Sequence, residues 1–186
     1  MLLMLFMDAK AQRFELKVSP LAVIKGKYNI NAEFLMKNQF SIDISPSFSL
    51  VRKEENVLLG NSKTQTRGLQ LATRYYVNPK TMGDGFSFGP YVSYESKTAE
   101  IQINDPNTGI RSTVNINEPP KLAVGSLAGY KLLFANNMLL DIGAGTGYNL
   151  NGARITGNGF FRNRFAVLDI TIRLAVGYRF GGKKED

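Results

Sequence analysis

The chain has 186 residues, 23 Lys plus Arg against 15 Asp plus Glu, and no cysteine, histidine or tryptophan. This composition excludes a Ser-His-Asp triad, a cysteine nucleophile, a thiolate or imidazole zinc site and a disulfide framework. The length fits one domain, and the formal charge of +8 points to an anionic partner such as nucleic acid, lipid headgroup or polysaccharide. With 18 Gly, 12 Phe and 8 Tyr, the chain favours β structure over helix.

At the start, Met1-Leu2-Leu3-Met4-Leu5-Phe6-Met7 is a short apolar run, followed by Asp8 and the small-x-small triplet Ala9-Lys10-Ala11. It predicts a clipped export signal over 1–11 and a mature chain from Gln12, against the alternative of a packed or disordered N-terminal strand. No later stretch holds the ~18 apolar residues that a spanning helix needs. Barrel strands need only about 9–11 residues each and alternate their faces, so average hydropathy does not exclude them.

Eight segments alternate with period two: 13–24, 28–36, 40–51, 66–77, 86–97, 121–134, 138–150 and 164–180. The first is the least regular, because Pro20 interrupts it and Leu21 and Val23 fall on what should be the polar face. In the other seven one phase is free of charge, as in Tyr28, Ile30, Ala32, Phe34 and Met36, or Leu122, Val124, Ser126, Ala128, Tyr130, Leu132 and Phe134. The last segment continues it with Ala166, Leu168, Ile170, Ile172, Leu174, Val176, Tyr178 and Phe180. A chain that is 20% charged would place several charges there by chance. They lie instead on the opposite phase, at Glu33, Asp43, Arg74, Glu95, Lys131, Asp141, Asp169, Arg173 and Arg179.

Alternation alone does not say which face meets water. Connection lengths and aromatic positions do. The connections at 37–39, 78–85 and 135–137 are short or intermediate, those at 52–65, 98–120 and 151–163 are long, and only 25–27 breaks the alternation. Short turns at one rim and long loops at the other are the transmembrane barrel pattern. On the apolar phase Phe34, Phe40, Tyr75, Phe86, Phe88, Phe134, Tyr178 and Phe180 lie near the short-turn ends, and Tyr28, Phe48, Tyr94 and Tyr148 toward the other. Two aromatic bands around an aliphatic middle match two membrane interfaces.

Several pieces, in order, resemble a family of small eight-stranded outer-membrane barrels of unknown function from Gram-negative bacteria, related in shape to the OmpA transmembrane domain. They are Asn31-Ala32-Glu33, Thr73-Arg74-Tyr75-Tyr76, Gly85-Phe86-Ser87-Phe88-Gly89-Pro90-Tyr91, Ala128-Gly129-Tyr130-Lys131, Asp141-Ile142-Gly143-Ala144-Gly145-Thr146-Gly147-Tyr148 and Leu174-Ala175-Val176-Gly177-Tyr178-Arg179-Phe180. The terminal alternation through Tyr178 and Phe180 also resembles the signal read by the barrel assembly machinery, here followed by the polar tail 181–186.

Three constellations invite a functional reading. Gly143, Gly145 and Gly147 lie within a strand pattern, so they make room for bulky interior side chains and do not form a phosphate loop. The turn at 37–39 sets Glu33 opposite Asp43, with Arg74 at the same depth, and the turn at 135–137 sets Lys131 opposite Asp141. With Arg173 these predict a buried ion network filling the lumen. Opposed carboxylates need a cation between them, and no nucleophile or metal pattern accompanies them. Finally, the long-loop rim carries Lys25, Lys27, Arg52, Lys53, Lys63, Arg67, Arg154, Arg162 and Arg164 against Glu54 and Glu55, a bias suited to lipopolysaccharide phosphates.

The expectation is an all-β, eight-stranded antiparallel up-and-down transmembrane β-barrel over 12–180 in the outer membrane of a Gram-negative bacterium. It has no catalytic residues, metal or cofactor, acts as a monomer in an envelope structural or surface-interaction role, and does not bind nucleic acid. Its partners are outer-membrane lipid and, during insertion, the assembly machinery. The rivals are a soluble lipocalin-like carrier of an apolar ligand, a narrow outer-membrane channel, and a lipid-modifying enzyme, which the absence of histidine disfavours.

Overall fold

The computed structural model describes residues 13–24, 26–36, 39–49, 52–56, 60–81, 83–104, 111–134, 136–151 and 168–181. They form β1 (Arg13–Val18), α1 (Pro20–Ile24), β2 (Lys27–Leu35), β3 (Phe40–Ser49), β4 (Arg52–Asn56), β5 (Gly60–Tyr76), β6 (Gly85–Asn104), β7 (Arg111–Asn117), β8 (Lys121–Leu133), β9 (Met138–Asn149) and β10 (Leu168–Phe180). Eight of the strands make the wall, in the cyclic order β1-β2-β3-β5-β6-β8-β9-β10. All neighbours are antiparallel, and β10 pairs back onto β1 to close it. The molecule is a closed eight-stranded antiparallel barrel.

Two tight turns set the register, and they are built alike. Met36 donates its backbone N–H to the Phe40 carbonyl and Phe134 donates to Met138, both at 2.8 Å, with Gln39 (φ 74°) and Asn137 (φ 62°) left-handed at the matching position. A left-handed third residue is what a three-residue hairpin connection demands. The carbonyls of the same two residues cap the next strands, at Tyr76 N–H (2.8 Å) and Arg179 N–H (2.9 Å). These turns place Glu33 opposite Asp43 and Lys131 opposite Asp141.

Because the side-chain period is two, the register decides every residue's face at once. Phe34, Leu71, Val92, Ile142 and Val176 are exposed on the outside, while Glu15, Lys17, Glu33, Asp43, Arg74, Lys131 and Asp141 are buried inside. On the outer surface Phe180, Phe14 and Phe34 form a chain of ring contacts at 5.9 and 5.2 Å, and Phe40, Tyr75 and Phe88 another at 5.1 and 5.7 Å. Both lie toward the short-turn end. Toward the other end Tyr28 stacks on Phe48 at 5.3 Å.

The structure departs from the sequence-based segments in two places. The segment predicted over 13–24 is a strand only to Val18. Ser19 then accepts backbone hydrogen bonds from Ala22 and Val23, and Pro20 opens the five-residue helix α1. Proline suits the first helical position because its missing N–H would be unpaired there. The connection expected at 25–27 is therefore longer, and the irregular phase of Leu21 and Val23 is that of a helical turn. The stretches expected as long loops at 52–65 and 98–120 are largely strand, since β4 pairs with the first residues of β5 and β7 with the last of β6. β4, the start of β5, the end of β6 and β7 thus extend from the long-connection end as one four-stranded sheet, joined by the β5–β6 pairing that runs out to Ser62 and Ile101. The loop expected at 151–163 and the export signal expected at 1–11 lie outside the described residues, apart from Asn151.

Candidate functional site

The lower half of the lumen, toward the short turns, holds nine buried charged side chains: Lys17, Arg74, Lys131, Arg173 and Arg179 with Glu15, Glu33, Asp43 and Asp141. Every wall strand except β6 contributes one or two. Glu33, Asp43 and Asp141 each bring a carboxylate oxygen within 4.8 Å of the others. Such a cluster would suit a metal ion, but the Lys17 ammonium occupies its centre, bonded to Glu33, to Asp141 at 2.9 Å and to Asp43 at 3.3 Å. It is the cation that opposed carboxylates require.

Around this centre the arginines take fixed partners. Arg74 grips both oxygens of Asp141 at 2.7 and 2.8 Å and reaches Glu33 at 3.4 Å. Arg173 grips Asp43 at 2.7 and 3.3 Å, and Arg179 bonds Glu15 at 2.6 and 2.8 Å. Lys131 bridges Glu15 and Glu33 at 2.6 and 2.8 Å. Hydroxyls fill the remaining lone pairs, with Ser41 and Tyr76 donating to Glu33 and Ser45 donating to Asp43, each at 2.5 Å. Two-point arginine contacts of this kind are charge-assisted and directional, and they fix side chains as well as neutralise them.

The sequence placed six of these nine residues and assigned some of their partners differently. Arg74 was expected to serve Glu33 and Asp43; it does reach Glu33 at 3.4 Å, but its main partner is Asp141, three strands away round the wall. Lys131 lies opposite Asp141 in the ladder but turns to Glu15 and Glu33. Lys17 and Glu15 were missed because the first segment was run through Pro20, which blurred the alternation Phe14-Glu15-Leu16-Lys17-Val18. Arg179 had been placed on the polar phase without a partner.

Glycines on β8 and β9 make room for the largest interior groups. A Cβ on Gly147 would stand 2.5 Å from the Tyr91 hydroxyl, and one on Gly129 would stand 3.0 Å from Arg74 Nη2. Below the network Leu35, Leu139 and Tyr76 are buried, Gly83 leaves no room for a Cβ beside Leu35, and the Gly83 carbonyl accepts from Arg179 at 3.1 Å. Side chains at that end of the lumen are shielded from solvent.

The upper half is different. Tyr91 donates to Asp169 at 2.6 Å, Lys121 also bonds Asp169, and Lys27 pairs with Glu95 at 3.2 Å with both side chains more than 40% exposed. Of the basic rim, Lys27 is therefore paired at the lumen mouth, and Lys63 lies 3.8 Å from Glu100. Arg67 is exposed beside Phe48 on the outer surface, and no ion pair among the described residues involves it. The side chains of Arg52 and Lys53, and Lys25, Arg154, Arg162 and Arg164 altogether, lie outside the described residues.

Comparison with known proteins agrees with this architecture. Residues 1–154 match the family described as Protein of unknown function (DUF3575), and the chain belongs to that family. No curated protein matches the sequence. Among solved structures it is similar to Ail, the attachment invasion locus protein of Yersinia pestis, at 12% identity and a TM-score of 0.52, covering 91% of this chain and 97% of that one. A second structure of Ail, in complex with the heparin analogue sucrose octasulfate, gives a TM-score of 0.50 at the same identity and coverage. A major outer membrane protein from Thermus thermophilus matches at 16% identity and a TM-score of 0.47, covering 91% of this chain and 100% of that one.

Proposed function

We propose that the chain is a non-enzymatic outer-membrane barrel that holds a place in the envelope and presents the long-connection end, with its four-stranded extension, to a partner outside the cell. The observation that carries this is the inversion of polarity: charges inside, and an apolar exterior ringed by aromatics on both sides. A soluble carrier of an apolar ligand needs the opposite arrangement. Its interior would be greasy, whereas this one is filled by ion pairs over half its length. In water the exposed apolar belt would be costly at about 25 cal/mol per Å², and in a bilayer it costs nothing.

Arg67 stands on the outside at the level of the Tyr28–Phe48 stack, where headgroup phosphates of an outer leaflet would lie. We assign lipopolysaccharide phosphates as its partner class. The export signal over 1–11, reading of Tyr178 and Phe180 by the assembly machinery, and residence in a Gram-negative outer membrane complete the reading. Cell fractionation with surface proteolysis tests it. The chain should sediment with outer membranes, migrate differently on gels with and without boiling, and be cut in intact cells only within the four-stranded extension and long connections. A monodisperse monomer in detergent-free buffer would overturn it.

A further inference from the structure

The outer wall has one face where a trough and a ridge lie side by side. Along two neighbouring hydrogen-bonded rows the outward side chains run from Phe88 through Ala128 and Ala144 to Ile172, and from Pro90 through Ser126 and Thr146 to Ile170. The small residues in the middle, with Thr73, floor a trough of about 980 Å³. At its end Ile170 and Ile172 are 73% and 76% exposed, whereas no other large apolar side chain on the described wall strands exceeds 53%.

Two independent features make the ridge stand proud. On one flank its ladder partners are only Ala144 and Thr146. On the other flank β1 has already ended: its pairing with β10 stops at Val18 and Val176, so among the described residues no strand lies on that side of Leu168–Ala175. The gap is covered by α1, and Ser19 donates its hydroxyl to the Leu174 carbonyl at 2.9 Å.

We propose that this face pairs two copies of the chain about a two-fold axis, with Ile170 and Ile172 of each seated in the trough of the other. A two-fold interface needs a surface that is complementary to itself, and a knob adjacent to a hole of the same two-row height meets that requirement. Within lipid, where no hydrophobic drive exists between protein surfaces, small residues that allow close approach are what favour association. Acyl chains cover trough and ridge alike, whereas a second copy is the occupant whose own shape matches both at once. The pairing departs from the monomer expected from sequence, and it rests on the outer wall facing lipid.

The chain has no cysteine, so single cysteines report contact without background. Full-length Ile172→Cys and Ala128→Cys proteins, refolded together into phosphatidylcholine vesicles and mildly oxidised, should cross-link to each other well above either protein alone. Adding Ser126→Leu and Ala144→Leu to both fills the trough and should lower that yield roughly tenfold while the boiling-dependent gel shift is kept. Flotation of the vesicles is scored first. A chain that stays out of lipid overturns the membrane reading and this pairing with it. A chain that inserts and shows no mixed cross-link, or cross-links equally with the trough filled, overturns the pairing alone. So does native mass spectrometry that finds a monomer retaining lipid.

Discussion

The two halves of this barrel solve the same problem, filling a narrow tube, in opposite ways. Toward the short turns, nine charged groups from seven strands lock one another with at most 5% exposure, and the wall is hydrogen-bonded all the way round. Toward the long connections, Lys27, Glu95 and Lys121 are each more than one-third exposed in their ion pairs, β1 is missing from the wall, and a five-residue helix stands in for it. The difference shows where rigidity and where adaptability reside. A fully paired buried network has a single arrangement, because any unpaired member is heavily penalised, whereas solvated pairs exchange partners at little cost.

The sharpest break in that comparison is the removal of one lysine from each half. Lys17→Met leaves Glu33, Asp43 and Asp141 crowded without their central cation and should cost about 3–5 kcal/mol. Lys27→Met removes a pair with Glu95 in which both side chains are more than 40% exposed and should cost about 1 kcal/mol or less. Urea unfolding in vesicles, followed by circular dichroism, measures both, and equal losses would erase the distinction. Next in size is the contrast between faces at one height. Ile172→Arg, pointing outward, should destabilise or block assembly by about 2–4 kcal/mol, while Thr171→Arg, pointing into the less crowded upper lumen, should cost less. Equal tolerance, scored by the heat-dependent gel shift, would mean that inside and outside have been exchanged.

A smaller effect sharpens the picture. Lys63→Ala removes an ion pair whose side chains are about one-third exposed and only 3.8 Å apart, and it should change stability within about 0–1 kcal/mol. The smallest expected signal comes from planar bilayers. With Leu35, Tyr76 and Leu139 buried beneath the network in the lower lumen, the wild-type protein should give no stable porin-sized conductance. Long-lived open channels from purified protein would refute the filled lumen.

What sequence reading recovered, and what it did not, follows the same division. Where strands alternate between lipid-like and polar surroundings, the period of two is written into the residues: five of the eight wall strands were placed within about four positions at both ends, and β5 and β6 at their short-turn ends. The extension was missed because β4, Arg52-Lys53-Glu54-Glu55-Asn56, is polar at every position and carries no apolar alternation in its sequence. The first strand was blurred because six regular residues were read together with a helical turn. Partners inside the lumen were less legible than membership. Arg74 and Asp141 are 67 residues apart and meet across the tube, a distance that ladder reasoning between adjacent strands cannot span.

The position of Glu15 and Lys17 bears on how the chain reaches this state. Both lie on the first strand, yet their partners come from the whole length of the chain: Arg179 is 164 residues away from Glu15, Lys131 is 116 from it, and Asp141 is 124 from Lys17. Contacts of such high sequence separation form only when the two ends of the chain meet, which makes them slow to nucleate and late to form. Until the β1–β10 seam closes, Glu15 lacks Arg179 across it and Asp43 lacks Arg173, so an open sheet carries carboxylates without their arginines. A one-residue slip of β1 would turn Glu15 and Lys17 outward into lipid and take the central ammonium from Glu33, Asp43 and Asp141. Closure therefore ties the register of β1 to charged partners on the last strands of the wall.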